Sequence, residues 1–162
     1  MKKNNDRIAI YPGTFDPITD GHLDIIKRAS KLFSSVIVSV ATNMKKKPMF
    51  STTERVKMIK ESVQNIKNVS VDTFSGLSID YCNKKNSYIL IRGLRAISDF
   101  ENEFQMALMN RKIDNNIETV FLMPSEEYTY LSSSLVKEIA SLNGDISNFV
   151  SNYVNKKMKE KT

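Results

Sequence analysis

The chain has 162 residues, of which 41% are apolar, and a formal net charge of +6. This length predicts one domain over residues 1–162, with room for a substantial core. No run of about 18 apolar residues and no charged-then-apolar leader occurs, so we expect neither a membrane partner nor a secretory signal. The ends, residues 1–6 and about 156–162, are polar, and we expect them to fray.

The chain holds one cysteine, Cys82, and one histidine, His22. A single cysteine excludes an intrachain disulfide and suits a reducing compartment, so we expect a cytoplasmic protein. One Cys and one His cannot fill the four positions of a structural zinc site. The positive charge permits nucleic-acid binding, but many lysines fall on predicted helix faces or in the tail, where solvation is the default, so no nucleic-acid partner is expected.

Strands and helices alternate along the chain. Short runs rich in β-branched or aromatic residues predict strands at 8–11, 36–41, 69–74, 88–92 and 119–123. Helical periodicity predicts helices at about 21–33, 52–65, 77–85, 99–113, 132–142 and 146–159. Repeated β-α units with nearly continuous apolar strands predict an α/β fold: a Rossmann-like, doubly wound, five-stranded parallel sheet with helices on both faces.

The junction of the first strand and the first helix carries Thr14, Gly21 and His22. Thr19 or Asp20 can cap the helix that starts there. The unpaired N–H groups of a helix start and its positive dipole end favour a bound anion, and Gly21 leaves room for a phosphate to approach the backbone. A lone histidine is as often a structural residue, so this junction alone predicts only a candidate phosphate site.

Other predicted strand ends also bear cations, hydroxyls and glycines. Ligands of open α/β sheets bind outside the carboxyl ends of the strands, at the topological switch point. The rim there would comprise 45–47 after the second strand, 75–78 after the third, 92–95 after the fourth and 124–134 after the fifth. Each loop alone could be ordinary surface, but together they predict a polyphosphate site.

Several common catalytic motifs are missing from the sequence. It contains no Gly-x-Gly-x-x-Gly, no Gly-x-x-x-x-Gly-Lys-Ser/Thr and no Gly-x-Ser-x-Gly. These absences exclude the dinucleotide fingerprint, the P-loop and the nucleophile elbow. The sequence fits a reaction without a covalent protein nucleophile better than one that forms a covalent enzyme intermediate.

Six sequence motifs lie along the strand ends and helix starts. They are Tyr11-Pro12-Gly13-Thr14-Phe15-Asp16-Pro17, Thr19-x-Gly21-His22, Lys46-Lys47-Pro48-Met49-Phe50, Ile91-Arg92-Gly93-Leu94-Arg95, Asp99-Phe100-Glu101 and Leu131-Ser132-Ser133-Ser134-Leu135-Val136-Lys137. With these motifs, the chain resembles the bacterial phosphopantetheine adenylyltransferase family of the nucleotidyltransferase superfamily from about residue 8 to about residue 149. Thr-x-Gly-His alone would indicate only the superfamily, and the combination of motifs is what points to this enzyme family.

The resemblance implies an adenylyltransferase that moves AMP from ATP to 4′-phosphopantetheine and gives dephospho-coenzyme A and pyrophosphate. It also implies Mg²⁺ carried by the ATP phosphates rather than by a protein metal site, a homohexamer, and coenzyme A as a feedback ligand. Transfers of this kind depend on alignment and on neutralisation of charge more than on a protein nucleophile. The hydroxyl-rich and cationic rim agrees with that chemistry.

The family's functional residues map onto this chain as expectations. His22 should donate to an α-phosphate oxygen, Thr14 should bind the attacking phosphate or the α-phosphate, and Lys46 and Arg92 should hold the phosphate of phosphopantetheine. The catalytic set is His22, Thr14, Lys46 and Arg95, and the substrate-binding set is Thr14, Lys46, Ser78 and Arg92. The expected ATP-binding residues are Thr14, Phe15, His22, Gly93, Leu94, Arg95, Glu103, Tyr128, Thr129, Tyr130, Leu131, Ser132, Ser133 and Ser134.

Some assignments stay open at this point. Asp16 could position its loop or a magnesium-bound water, and Ser78 stands where many relatives carry a bulky apolar residue. A related nucleotidyltransferase with another phosphorylated substrate is the nearest alternative function. A basic nucleic-acid-binding module is a more distant one, because no recognition motif accompanies the charge.

Overall fold

The computed structural model describes residues 7–42, 47–95 and 97–162. Five strands form one sheet: β1 (Ile8–Gly13), β2 (Ser35–Ala41), β3 (Val69–Phe74), β4 (Ile89–Gly93) and β5 (Glu118–Leu122). The helices are α1 (Asp20–Leu32), α2 (Thr52–Val63), α3 (Ser78–Lys84), α4 (Ile97–Ile113), α5 (Ser133–Ser141) and α6 (Asn152–Lys159), with a 3₁₀ turn at Glu126–Tyr128.

The sheet is entirely parallel, in the order β3-β2-β1-β4-β5. The chain moves outward from β1 to β2 and β3, then returns to the other side of β1 for β4 and β5. The strand order therefore reverses between β1 and β4, and this pair forms the topological switch point. The predicted α/β, doubly wound, five-stranded parallel fold is confirmed.

Helices cover both faces of the sheet, because the central strands are apolar on both sides. The core on one face joins β1, β2 and β4 to buried residues of α1, α2, α5 and α6. The core on the other face brings Ile10 of β1 and Leu90 of β4 against Ile79, Tyr81 and Cys82 of α3. Cys82 is fully buried there.

The predicted elements all exist, and the largest boundary error concerns the last helix. It was expected from residue 146, yet α6 begins at Asn152 with Ser151 as its N-cap. The Asp145 carboxylate accepts hydrogen bonds from the Ser147 backbone N–H and hydroxyl, which fixes a turn instead of a helix start. The tail also differs from the fraying expected at 156–162, since α6 runs to Lys159 and Met158 is fully buried.

No helix in the described ranges 7–42, 47–95 and 97–162 is long and apolar enough to cross a membrane.

Two chain segments shape the carboxyl edge of the sheet. The backbone N–H of Asp20, at the start of α1, donates to the Phe149 carbonyl at 2.8 Å. The Ser133 hydroxyl of α5 donates to the Pro17 carbonyl at 2.8 Å. Helix α5 and the segment between α5 and α6 thereby hold the β1–α1 loop and the start of α1 in place.

Candidate active site

A cleft of about 360 Å³ opens at the switch point, above the carboxyl ends of β1 and β4. Its walls come from the β1–α1 loop and the first turn of α1, from β4 and the start of α4, and from the segment that leads into α5. It brings together twelve of the residues predicted to bind substrates. These are Thr14, Phe15, His22, Arg92, Gly93, Arg95, Glu103, Tyr128, Leu131, Ser132, Ser133 and Ser134.

The β1–α1 loop is packed around Phe15. Its ring is 3% exposed and lies edge-on to the rings of Tyr11 and His22, with centroids 5.4 and 5.1 Å away. A Cβ atom on Gly13 would lie 2.9 Å from the Phe15 ring, so any larger residue at position 13 would force the ring to move. Phe15 therefore acts in this loop mainly as a wall that orients His22.

His22 is fixed by the cap of α1. Its Nδ1 accepts the Thr19 backbone N–H at 3.1 Å and lies 3.0 Å from the Thr19 hydroxyl, while the His22 N–H donates to that hydroxyl at 3.5 Å. A ring nitrogen that accepts a backbone N–H carries no proton, so the proton of the neutral ring must sit on Nε2. The cap thus selects the tautomer that offers Nε2–H as a donor in the cleft.

The electrostatics of the site favour the same neutral form. Burial, followed by the positive charge of Arg95, lowers the pKa of His22 to about 4. At neutral pH the imidazole is therefore uncharged, and it can donate a hydrogen bond to an oxygen that gains negative charge without titrating. Thr19, which sequence reasoning identified only as one of two possible caps, is the residue that sets this state.

Two helices begin at the cleft. The first turn of α1 contributes Gly21 and His22, and the first turn of α5 contributes Ser133 and Ser134, with Ser132 as its N-cap. The Ser132 hydroxyl is occupied by the Leu135 N–H at 3.1 Å. Backbone N–H groups and two positive dipole ends thus converge on one space, an arrangement that suits a bound polyphosphate.

Arg92, at the end of β4, is paired with a carboxylate of α4. Its Nε and Nη2 donate to the two oxygens of Glu103 at 2.7 and 2.5 Å, and Nη1 donates to the Pro12 carbonyl at 3.2 Å. The hydrogen bonds to Glu103 raise the pKa of Arg92 despite its burial. The two predicted binding residues are therefore bound to each other, and an incoming phosphate would compete with Glu103 for the guanidinium.

Arg95 makes a weaker pair in the same wall. Its guanidinium bonds both oxygens of Asp99 at 3.1 and 3.4 Å, and its Nη1 donates to the Leu131 carbonyl at 3.1 Å. The side chain is 41% exposed. Arg95 therefore bridges the start of α4 to the segment before α5 and keeps a cation facing the cleft.

Asp16 holds the β1–α1 loop in place. One carboxylate oxygen accepts the Phe50 N–H at 2.9 Å, and the other accepts the Met49 N–H at 2.9 Å and the Lys137 ammonium at 2.8 Å. Burial alone would raise the pKa of Asp16, but these partners together lower it. Of the two roles left open by the sequence, the contacts match the positioning of the loop.

Sequence reasoning missed Arg55 of α2. Its guanidinium donates to the Thr14 carbonyl at 2.7 Å from a position only 3% exposed. The available signal was its place on the apolar face of α2, which also buries Met58, Ile59 and Val63. A charge on a buried helix face indicates a specific partner, because an unpaired buried charge is costly.

Four predicted residues do not line the cleft. Leu94 gives its N–H to the Leu122 carbonyl, Thr129 donates its hydroxyl to the Glu126 carbonyl, and Tyr130 is 61% exposed. Ser78 is the first residue of α3, away from this space. Lys46 lies outside the described residues.

No metal-binding cluster of three or more His, Cys, Asp or Glu residues occurs within the described parts of the chain. The acidic residues around the cleft already have cationic partners. Asp16 is bound to Lys137, Asp99 to Arg95 and Glu103 to Arg92. The residues present therefore fit a metal ion that is held by a phosphate ligand better than one held by the protein.

Known proteins resemble this chain over most of its length. The family model described as Cytidylyltransferase-like matches residues 10–139. A phosphopantetheine adenylyltransferase of Alkaliphilus metalliredigens is 56% identical over 156 residues, which cover 96% of this chain and 99% of that protein. One of Caldanaerobacter subterraneus is 54% identical over 155 residues, which cover 96% and 97% of the two chains.

A solved structure shares the fold. It is a crystal structure described as a nicotinate-nucleotide adenylyltransferase from Vibrio parahaemolyticus, with a TM-score of 0.74 and 16% identity over 94% of this chain and 98% of that chain. This likeness concerns the fold alone, whereas the sequence relatives identify the family at more than half identity over nearly the whole length. The chain belongs to the phosphopantetheine adenylyltransferase family, within the cytidylyltransferase-like superfamily.

Proposed function

We propose that the chain transfers the AMP part of ATP to 4′-phosphopantetheine and thereby forms dephospho-coenzyme A and pyrophosphate. The observation that carries this proposal is the fixed, neutral His22, with its Nε2–H in a cleft between two helix starts and two arginines. The family relatives support the same reaction by their names. The nearest alternative, another phosphorylated acceptor, has no separate observation in its favour.

The reaction needs no covalent enzyme intermediate. An oxygen of the phosphopantetheine phosphate forms a bond to the α-phosphorus of ATP, and the bond from that phosphorus to the bridging oxygen of pyrophosphate breaks. The bonding electron pair leaves with pyrophosphate, so atoms and charges balance without a protein nucleophile. The protein must align the two substrates and stabilise the negative charge that builds up on the α-phosphate oxygens.

The donors around the β1–α1 loop suit the α-phosphate. His22 Nε2–H would donate to an α-phosphate oxygen, and Thr14 would bind either that phosphate or the attacking one. Because His22 is neutral and held at Nδ1, no proton has to move before it can act. A preorganised donor of this kind contributes about 3–4 kcal/mol to transition-state stabilisation.

The cations would hold the attacking phosphate. Arg92 has five N–H groups, and three take part in its bonds to Glu103 and Pro12, which leaves capacity for a phosphate. Lys46 would supply a second positive charge. Together they would neutralise a dianion that has to approach another anion.

The remaining groups suit the nucleotide. Arg95 and the first turn of α5 would lie along the triphosphate, with backbone N–H groups and the Ser132 and Ser134 hydroxyls as donors. Gly93, Glu103 and Tyr128 would line the nucleoside part. Of the other predicted ATP contacts, Leu94, Thr129 and Tyr130 would require a rearrangement of their side chains or contact through the backbone.

We propose that Mg²⁺ arrives on the ATP phosphates. When bound, the ion neutralises charge on the leaving pyrophosphate. The serine hydroxyls at the start of α5 line the cleft and could approach such a bound ion, whereas Asp16, Asp99 and Glu103 are engaged by cations.

Pyrophosphate release tests the proposed function. ATP at saturation should give pyrophosphate only when 4′-phosphopantetheine is present, and nicotinate mononucleotide and pantetheine without its phosphate should give none. Release at the same rate without phosphopantetheine would contradict the proposal. Release that depends on nicotinate mononucleotide instead would favour the alternative substrate.

We also propose that the chain assembles with copies of itself through α4. That helix exposes six large apolar side chains, each at least 45% exposed: Phe100, Phe104, Met106, Leu108, Met109 and Ile113. Isolated domains do not usually leave so many apolar side chains together in water. A homohexamer is the assembly that the family resemblance implies.

Light scattering coupled to size exclusion tests the assembly. Met109→Lys should shift the wild-type protein from an oligomer toward a monomer. The matched control is Leu142→Lys, because Leu142 is 76% exposed and lies after α5, far along the chain from α4. A wild-type monomer, or an unchanged oligomer in Met109→Lys, would contradict the assignment of α4 as the contact helix.

We also propose that coenzyme A binds in the cleft. Coenzyme A contains the whole of the product dephospho-coenzyme A, so it should compete for the same cleft and act as a feedback ligand. Competition against ATP in the pyrophosphate assay checks this.

The buried free thiol of Cys82 suits a reducing compartment, which supports the cytoplasm as the place of action.

A further inference from the structure

Arg55 is a buried arginine behind the cleft wall. It lies in the first turn of α2 and is 3% exposed, whereas each of the other arginines in the described residues is at least partly exposed. No carboxylate forms a salt bridge with it among residues 7–42, 47–95 and 97–162. A guanidinium in such a place is costly unless its N–H groups are satisfied by fixed acceptors.

The acceptors of Arg55 come from three separate segments. Nη1 donates to the Thr14 carbonyl at 2.7 Å and to the Ala41 carbonyl at 3.3 Å. Nε donates to the Phe50 carbonyl at 3.1 Å, and Nη2 donates to the Thr52 hydroxyl at 3.1 Å. One planar side chain thus ties the β1–α1 loop to the end of β2 and to the residues at the start of α2.

These acceptors bracket the segment that carries Lys46. Ala41 is the last residue of β2, and Phe50 precedes α2, so Arg55 binds the chain on both sides of residues 42–49. Asp16 binds the same far end through the Met49 and Phe50 N–H groups. Both ends of the Lys46 segment are therefore fixed to the loop that bears Thr14.

The side-chain chemistry at position 55 is specific to arginine. A guanidinium presents five N–H groups in a rigid plane, and here it reaches four acceptors in different directions. A lysine ammonium keeps the charge but gathers its three donors at one atom, so it cannot span the Thr14, Phe50 and Thr52 acceptors together. The substitution Arg55→Lys therefore separates the geometry of the contact from its charge.

We propose that Arg55 is a positioning residue for the transfer reaction: it fixes Thr14 and both ends of the Lys46 segment relative to each other. This inference rests on the proposed function. It implies that the backbone around the attacking phosphate is set from behind by a residue that touches neither substrate. A misplacement of such groups by about 1 Å can cost roughly 10²-fold in rate.

The test compares Arg55→Lys with wild type at a temperature where circular dichroism shows both fully folded. The expected result is a fall in kcat of about 10- to 100-fold. The KM for phosphopantetheine should rise, because the proposed function assigns Lys46, and Thr14 as one of its two roles, to the phosphate of that substrate, while the KM for ATP should change less. If Arg55 only stabilised the fold, its substitution would lower the melting temperature but would not change the two KM values by different factors.

Arg7→Lys is the matched control. Arg7 is exposed and precedes β1, at the end of the sheet opposite the cleft. It should keep the wild-type kcat and both KM values. A folded Arg55→Lys whose kcat and KM values all lie within twofold of wild type would overturn the proposal.

A second variant decides the matter if Arg55→Lys does not fold. Thr52→Val keeps the β-branched shape and removes only the hydroxyl that accepts from Nη2. We expect kcat to fall at least threefold with a larger change in the KM for phosphopantetheine than for ATP, and unchanged constants would overturn the proposal. If wild type itself shows no phosphopantetheine-dependent turnover, the proposed function is refuted.

Discussion

The two walls of the cleft are built differently. The wall formed by the β1–α1 loop and the first turn of α1, here called the cap wall, holds neutral donors through buried backbone contacts at His22, Thr19 and Asp16. The wall formed by β4 and the start of α4, here called the arginine wall, holds Arg92 and Arg95 through partly exposed ion pairs.

The difference suggests a division of labour. Groups of the cap wall are already in place and have no competing partner for His22 Nε2–H among the described residues, so they should act mainly on the rate of transfer. Groups of the arginine wall must exchange a carboxylate for a phosphate, so they should act mainly on affinity. The two walls can be separated by measuring kcat and KM for variants in each.

The largest effect is expected for His22→Ala. Loss of the Nε2–H donor should lower kcat by two to three decades, or about 3–4 kcal/mol, with little change in either KM. Steady-state kinetics with both substrates saturating measures this. Thr19→Val is the matched control, since it keeps the backbone N–H on Nδ1 and should lose much less activity. Unchanged turnover in His22→Ala would remove the histidine from the transition state.

A smaller effect is expected for Arg92→Ala, mostly in affinity. Loss of charge-assisted bonds to the phosphate should raise the KM for phosphopantetheine about 10- to 100-fold, corresponding to ~1.5–3 kcal/mol. Added salt should likewise raise the KM of wild type for phosphopantetheine, because it screens the attraction between Arg92 and the phosphate. Arg111→Ala is the control, because Arg111 pairs with Glu118 outside the cleft. A loss of kcat with an unchanged KM would abolish the proposed division between the walls.

The depressed pKa of His22 predicts a pH-dependent contribution to stability. Between pH ~4 and ~6.5 the unfolded imidazole binds a proton while the folded one does not, so the free energy of unfolding should rise with pH across this window. We expect a change on the order of 1–2 kcal/mol, because solvent at the cleft screens part of the effect.

Urea unfolding of wild type and His22→Asn at pH 4.5 and 7 isolates this term, since the chain has no other histidine. The difference in unfolding free energy between the two proteins should be larger at pH 7 than at pH 4.5. An equal difference at both values would mean that the ring titrates normally in the folded protein.

The smallest effect is expected for Glu103→Gln. Neutralising the carboxylate weakens its hold on Arg92, so phosphopantetheine should bind about 2- to 5-fold more tightly in the absence of ATP, or ~0.5–1 kcal/mol. Calorimetry measures the binding directly. Weaker binding would show that Glu103 serves to orient the guanidinium rather than to compete with the substrate.

Much of the fold followed from local pattern. Apolar strands that end before glycine or hydroxyl residues predicted the parallel sheet and the edge at which the cleft lies, because the carboxyl ends of parallel strands meet there. The start of α6 could not be predicted, since residues 145–149 carry a helical pattern but the Asp145 side chain captures the backbone in a turn.

The state of the site residues depended on contacts that no sequence period reveals. Arg92 and Glu103 were each predicted to bind substrate, yet their pairing joins a strand to a helix eleven positions later. The neutral state of His22 could be inferred only once the position of its ring against the Thr19 N–H was known. Arg55 carried a weak signal on the apolar face of α2, but its acceptors are backbone carbonyls of distant segments.

Exchange of labelled pyrophosphate into ATP is the most direct test of direct transfer in this cleft. We expect exchange only when phosphopantetheine or dephospho-coenzyme A is present, because AMP passes straight from ATP to the acceptor phosphate. His22→Ala should slow that exchange by the same two to three decades as the forward reaction. Exchange with ATP and pyrophosphate alone would require an adenylylated enzyme and would contradict the account.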